Sequence, residues 1–347
     1  MPVPDPDASL TDDPQGTGEL DEFSGGRHPA FAGLQTFMKM PLIEDPAELK
    51  RKKVDVAIVG APLDWAATYR AGARFGPRAI RQANYMSSAI AHHLGLGLMP
   101  LVVLRVADAG DALCPPGDIA AGHRAIEKKV KGVLEAGVLP IVLGGDHSIT
   151  LPSATAVADH HGRGRVGIIH FDAHADTSED SWGVVLSHGT PMRRLIESGA
   201  VPGKNFVQVG LRGYWPPPNV FAWMKEQGMR WHLMREIEDR GFDAVIDDAI
   251  AEALDGPELI YLSVDIDVLD PAHAPGTGTP EPGGLTSMEL LRATRRIAQE
   301  LNLVAVDIVE VAPAYDSAEI TAAVANRVAL EAISGLAARK LAASQGR

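Results

Sequence analysis

Three short apolar runs in this chain each stop at a cluster of acids and histidines, and that pairing limits the possible folds more than any other feature. Val166 to Phe171 runs into Asp172-Ala173-His174-Ala175-Asp176. Leu259 to Val264 ends in Asp265-Ile266-Asp267, and Val138 to Leu143 runs into Gly144-Gly145-Asp146-His147-Ser148. Apolar runs of roughly four to eight residues have the length of buried strands rather than of helices. Alternation along an extended chain would put Asp172, His174 and Asp176 on one face. Four carboxylates and two imidazoles, those of His147, Asp172, His174, Asp176, Asp265 and Asp267, thus leave three strand ends.

Any one of these motifs alone is ordinary turn or cap chemistry. Their joint occurrence is different, because unpaired like charges gathered in one cleft repel one another and take up protons. A cation resolves that conflict. So many hard oxygen and nitrogen donors suit two divalent ions sharing bridging carboxylates better than a single zinc.

Strand and helix patterns alternate along the rest of the chain. Strands are expected at Val54 to Val59, Leu101 to Val106, Val138 to Leu143, Val166 to Phe171, Asn205 to Leu211, Arg230 to Leu233, Leu259 to Val264 and Leu303 to Val309. Between them, Gly76 to His92, Ile119 to Glu135, Phe242 to Leu254 and Ser287 to Leu301 carry the helical spacing of apolar residues. Near-continuous apolar strands separated by helices imply a parallel sheet covered on both faces. The expected fold class is therefore α/β: a single three-layer α/β/α domain on a mostly parallel sheet of about eight strands. Ligands of such sheets sit beyond the carboxyl ends of the strands, where all six candidate metal ligands fall.

With 347 residues, 46% of them hydrophobic, the chain can bury a large core, and no internal repeat or long linker divides it. Residues 28–347 are expected to form one catalytic domain. Residues 1–27 are expected to form a disordered acidic arm, because seven acids precede the first basic residue, Arg27. The net charge of −13 without a basic stripe argues against nucleic acid and favours cationic ligands. The lone Cys114 excludes an internal disulfide framework and, between Leu113 and Pro115-Pro116, has no nucleophile signature. Neither an export signal nor an apolar run of spanning length is read along the chain, so a soluble cytoplasmic protein without a membrane partner is expected.

At this level of detail the chain resembles the ureohydrolase superfamily of arginases and agmatinases, over roughly residues 28–340. Gly-Gly-Asp-His-Ser at 144–148, Asp-Ala-His-Ala-Asp at 172–176 and Ser-Val-Asp-Ile-Asp-Val-Leu-Asp-Pro at 263–271 match its three metal motifs in order and spacing. The likeness continues through Tyr69 to Pro77 and Ala274 to Pro280. Glu310-Val311-Ala312-Pro313-Ala314-Tyr315-Asp316 is most similar to the agmatinase and guanidinobutyrase branch. The resemblance implies an arginase-like fold and a hydrolase that cleaves a guanidino C–N bond to urea and an amine. It also implies a small guanidino substrate and a homo-oligomer, trimeric or hexameric.

The resemblance further implies two divalent ions per chain, Mn(II) by family habit, with Ni(II) and Co(II) compatible with the same donors. One would be held by His147, Asp172, Asp176 and Asp265, the other by His174, Asp172, Asp265 and Asp267, with Asp172 and Asp265 bridging. Glu310 matches the family's guanidinium-binding acid and His188 its proton-shuttling histidine; Asp267 counts among the catalytic residues as well as the ligands.

The departures concern the substrate. Thr177-Ser178-Glu179-Asp180-Ser181-Trp182 stands where arginases grip an α-amino acid, so arginine is not the expected substrate. Glu179 and Asp180 suit a distal ammonium, whereas Trp182, Trp215 and Pro216-Pro217-Pro218 suit a small or N-alkylated guanidine. Ala71 replaces the family's usual Pro, and Trp65-Ala66 its small residues, in a loop that borders the site in relatives. A formimino-group hydrolase and a catalytically silent subunit of a mixed oligomer are the competing readings; intact ligands argue against the second.

Overall fold

A computed structural model describes residues 22–23, 29–86, 88–344 and 346. Its strands are β1 (Val56–Ala61), β2 (Val106–Asp111), β3 (Leu139–Gly144), β4 (Val166–Phe171), β5 (Phe206–Leu211), β6 (Arg230–Leu233), β7 (Leu259–Asp265) and β8 (Leu303–Val309). They form one sheet in the order β2-β1-β3-β8-β7-β4-β5-β6, with every adjacent pair parallel.

Alternation along the central strands feeds two separate cores. Ile58, Ile141, Ile169, Leu262 and Ile308 pack on one face with Val245 of helix Phe242–Ala253, Leu290 and Ile297 of helix Ser287–Glu300, and Val328 and Ile333 of helix Ile320–Ser344. Val59, Val142, Ile168, Tyr261 and Val309 pack on the other with Ile126 and Val130 of helix Ile119–Glu135, Val157 of helix Thr150–His161, and Leu195 of helix Pro191–Glu197. Helices cover both faces, which is why most of the strands read as near-continuous apolar runs.

Local sequence sets several boundaries. Asp118 caps the helix Ile119–Glu135 by accepting from the Ala121 amide at 2.8 Å, and Thr286 with Glu289 forms a capping box at the start of Ser287–Glu300. The expected strand at Leu101 to Val106 is displaced. Pro100 opens a short helical turn, Pro100–Val103, and β2 begins only at Val106. That strand, Val-Ala-Asp-Ala-Gly-Asp, is small and acidic because Asp108 is buried against Arg81, which donates to it at 2.7 and 2.9 Å.

The helix expected to reach His92 stops at Gln82 and is followed by a loop with a short 3-10 turn at Ser88–Ile90. Helix Ile320–Ser344, which the sequence reading passed over, is long and apolar enough by composition to cross a membrane. Its residues Ala325, Val328, Ala332 and Ile333 are instead buried against the sheet and its neighbouring helix. The expected acidic arm lies largely outside the described residues; of it, Glu22 pairs with Lys52 at 2.5 Å and Phe23 packs under the Arg105 guanidinium.

Candidate metal centre and active site

The sheet order brings β3, β8, β7 and β4 side by side, and their carboxyl ends carry His147, Glu310, Asp265 with Asp267, and Asp172 to Asp176. At the end of β3 the backbone turns tightly: a Cβ on Gly145 would lie 1.9 Å from the Leu63 carbonyl oxygen, so only glycine fits. His147 then opens a 3-10 turn capped by Asp146, whose Oδ1 accepts from the Ser148 amide at 3.0 Å. Asp172, His174 and Asp176 do not lie on a continued strand as expected. β4 ends at Phe171, and the segment curls back, with Asp176 at φ 52° and the His174 amide donating to Asp172 Oδ1 at 2.6 Å. All six side chains nevertheless face one cleft.

Beneath that cleft a buried polar row crosses four strands in register. His170 is paired with Gln208 of β5 and with Ser263 of β7, and Ser263 with Asp307 of β8. Asp307 receives three hydroxyls: Ser263 Oγ at 2.7 Å on Oδ1, and Thr150 Oγ1 and Tyr261 OH at 2.6 Å each on Oδ2. His170 Nε2 lies 2.8 Å from Asp172 Oδ2, and its Nδ1 accepts from the Gln208 amide at 2.8 Å, so its proton sits on Nε2 and is donated to Asp172.

This row fixes the tautomer of His147. Ser263 Oγ gives its proton to Asp307, so it must accept from His147 Nε2, 2.9 Å away. In the neutral ring the lone pair therefore lies on His147 Nδ1. That buried nitrogen has no hydrogen-bond partner, yet lies 2.9 Å from Asp176 Oδ2, 3.1 Å from Asp172 Oδ2 and 3.2 Å from Asp265 Oδ2. A lone pair aimed into three carboxylates is repulsive unless a positive charge, a proton or a metal ion, lies between them. The donor set thus fits a divalent cation.

A second group shares Asp172. His174 Nδ1 lies 3.1 Å from Asp267 Oδ2 and 3.5 Å from Asp172 Oδ1, and Thr279 Oγ1 donates to Asp267 Oδ2 at 3.2 Å. Electrostatics express the same demand for charge. Burial works against protonation of His147 and His174, but the surrounding carboxylates prevail and hold both rings well above the ordinary histidine value. Burial, with Asp267 and Asp172 alongside, pushes Asp265 well above the usual carboxylate range.

Glu310 follows β8 with φ +64°. Its Oε1 accepts from the His147 amide at 2.8 Å and from His188 Nδ1 at 2.9 Å, whereas the buried Oε2 has no partner. Burial opposes protonation of His188, yet Glu310 raises it to about 9. Asp146, pushed up to about 7 by burial and then by Glu310, straps the Ala66 amide from the neighbouring loop at 2.9 Å.

Above the cleft opens a cavity of about 450 Å³ lined by Thr68, His174, Asp176, Ser178, Asp180, Ser181, Trp182, His188, Gly189, Trp215, Asp265 and Thr279. Trp182 is 88% exposed at its mouth, and Asp180 Oδ1 accepts from the Gly183 amide at 2.7 Å. No lysine or arginine is among these lining residues. Ser263, Asp307, His170, Gln208 and Thr68 escaped the sequence reading. The only signal available for the first four is that polar residues interrupt otherwise apolar central strands.

The profile of the Arginase family matches residues 54–335. A guanidinobutyrase of Pseudomonas aeruginosa is 39% identical over 293 residues, covering 84% of this chain and 89% of that protein. A guanidinopropionase of the same organism is 41% identical over 311 residues, covering 89% and 93%. A crystal structure of a hypothetical agmatinase from Burkholderia thailandensis superposes with a TM-score of 0.80 at 36% identity, covering 90% of this chain and 93% of that one.

Proposed function

The chain belongs to the arginase family, and on that premise we propose a binuclear-metal hydrolase that cleaves a guanidino C–N bond, releasing urea and an amine. The observation that carries the proposal is the His147 Nδ1 lone pair set among Asp172, Asp176 and Asp265. One ion would be held by His147, Asp172, Asp176 and Asp265, the other by His174, Asp172, Asp265 and Asp267. Mn(II) is the metal proposed, with Ni(II) and Co(II) as arms of the test. Bound there, two such ions supply the Lewis acidity that makes water nucleophilic at neutral pH.

The chain's own residues do the rest. A guanidinium is a planar array of N–H donors that stays protonated near neutral pH, so it needs a fixed acceptor. Glu310 is that acceptor: Oε1 is pinned by the His147 amide and His188, which leaves Oε2 free to receive two substrate N–H groups. His188 holds the proton that the departing amine requires.

Charge at the mouth narrows the substrate. With Asp180, Trp182 and Trp215 lining the cavity and no lysine or arginine among its lining residues to receive a carboxylate, ammonium-tailed or alkyl guanidines are favoured over guanidino acids and over arginine. We take residues 28–347 as the catalytic domain of a cytoplasmic homo-oligomer, trimer or hexamer. The exposed Tyr85, Ile90 and Leu94 support the association.

Chelator-stripped protein reloaded with Mn, Ni or Co tests the proposal. Two ions per chain and urea release from agmatine or an alkylguanidine, faster than from arginine or 4-guanidinobutyrate, are expected. Full activity with one ion, or a reaction that yields no urea, would overturn it.

A further inference from the structure

His188 is the proton holder of the proposed reaction, yet neither of its ring nitrogens is open to the cavity. Nδ1 is 2.9 Å from Glu310 Oε1. Nε2 lies 2.7 Å from Thr68 Oγ1 and accepts from the Thr68 amide at 3.1 Å. The ring itself is buried, at 8% exposure, whereas Thr68 is exposed and lines the cavity. A proton leaving Nδ1 would pass to a carboxylate oxygen already holding the His147 amide, which prevents that carboxylate from turning to deliver it. The remaining way out is through the Thr68 hydroxyl.

The loop around Thr68 is built to hold it there. Asp64 Oδ2 accepts from the Gly72 amide at 2.7 Å and Asp64 also pairs with Arg74, closing the loop at its far end. At the near end the Ala66 amide donates to Asp146 Oδ2 at 2.9 Å, and the Ala66 carbonyl accepts from the His188 amide at 3.2 Å. The segment that carries Thr68 is thus tied directly to the segment that carries His188. Thr68 lies just before the Tyr69 to Pro77 motif, and its role is invisible from spacing alone.

We propose that Thr68 is the relay through which His188 protonates the leaving amine, an inference that rests on the hydrolase reading above. In the protonated ring Nε2–H donates to Thr68 Oγ1, whose own proton points into the cavity. As the amine nitrogen of the tetrahedral species takes that proton, the Oγ1–H bond breaks and is remade with the proton from Nε2. The C–N bond then breaks with its electron pair going to nitrogen, the amine leaves neutral, and the hydroxyl left on carbon releases its proton to water as the carbonyl of urea forms. His188 ends as a neutral ring whose Nε2 accepts from the Thr68 amide, 3.1 Å away.

Thr68→Val keeps the shape and the backbone amide but removes the hydroxyl; Thr68→Ser keeps the hydroxyl. On the metal-loaded enzyme with an alkylguanidine, Thr68→Val should lower kcat about a hundredfold with metal content, melting temperature and KM nearly unchanged. Thr68→Ser should stay within a few-fold of wild type. Because the two groups act in series, Thr68→Val combined with His188→Asn should be no slower than the slower single variant. A Val variant as fast as wild type, or losses that multiply in the double variant, would overturn the relay alone. Wild-type protein that releases no urea from any guanidino compound would remove the hydrolase reading, and the relay with it.

Discussion

Asp307 decides where the proton on the neutral His147 ring sits, although the hydroxyl of Ser263 stands between them. Two hydroxyls, from Thr150 and Tyr261, reach its Oδ2 and one, from Ser263, its Oδ1. In Asp307→Asn the amide oxygen is best placed toward the two donors, which leaves the NH2 facing Ser263. Ser263 must then accept from that amide and turn its own proton to His147 Nε2, driving the imidazole proton to Nδ1, among the carboxylates. Affinity of the His147 site for Mn(II) should fall by roughly 10- to 100-fold, read by metal titration, and imidazole nitrogen NMR should report the reversed tautomer. Unchanged affinity would mean that the row beneath the cleft does not govern the ligand.

Glu310 separates recognition from metal binding. Glu310→Gln retains the shape but loses the charge-assisted part of a hydrogen bond worth about 1.5 to 3 kcal/mol, so kcat/KM should drop at least tenfold while both ions stay bound. Loss of metal in the variant would instead make Glu310 a ligand. The gathering of Asp172, His174, Asp176, Asp265 and Asp267 in one cleft was legible in the sequence because these residues cluster within short segments at strand ends. Ser263 and Asp307 were not, since they lie in different strands and meet only through the β7–β8 register.

Among the elements, the helix Ile119–Glu135 carries the clearest pH signature. His123 on its inner face is 8% exposed and 3.0 Å from Ser148 Oγ, and burial lowers it from 6.5 to about 4. A histidine that ionises less readily when folded adds stability that is complete above its unfolded value near 6.5 and is lost as pH falls toward 4. The loss amounts to about 3 kcal/mol. Urea denaturation of wild type and His123→Gln at pH 7 and pH 4.5 should show a steeper decline for wild type; parallel declines would contradict the assignment. This helix was readable from sequence because its apolar face and Asp118 cap agree. β2 was not, because an edge strand built around a buried Asp108–Arg81 pair lacks the apolar run that marks its neighbours.

At the scale of the whole molecule, the cleft concentrates like charge where four central strands end, so on the binuclear reading bound ions should relieve a repulsion that the metal-free protein carries. Protein reloaded with Mn(II) at a hundred times its dissociation constant should gain about 2.7 kcal/mol over chelator-treated protein, measured as a rise of several degrees in melting temperature. That gain should shrink as pH falls through the raised values of His147 and His174, a window that opens well above the ordinary histidine value, because protons then compete for both ligands. A melting temperature indifferent to chelation would contradict a site of this kind.

The row from Gln208 through His170 and Ser263 to Asp307 also bears on portability. Someone copying the six ligands onto the strand ends of another parallel sheet would reproduce the visible metal motifs and still fail, because the imidazole proton would be free to choose the wrong nitrogen. The transferable unit is four adjacent strands in one register, with a carboxylate at the far end of the line. A sheet that kept all six side chains but lost Asp307 would lose the instruction that orients the His147 proton.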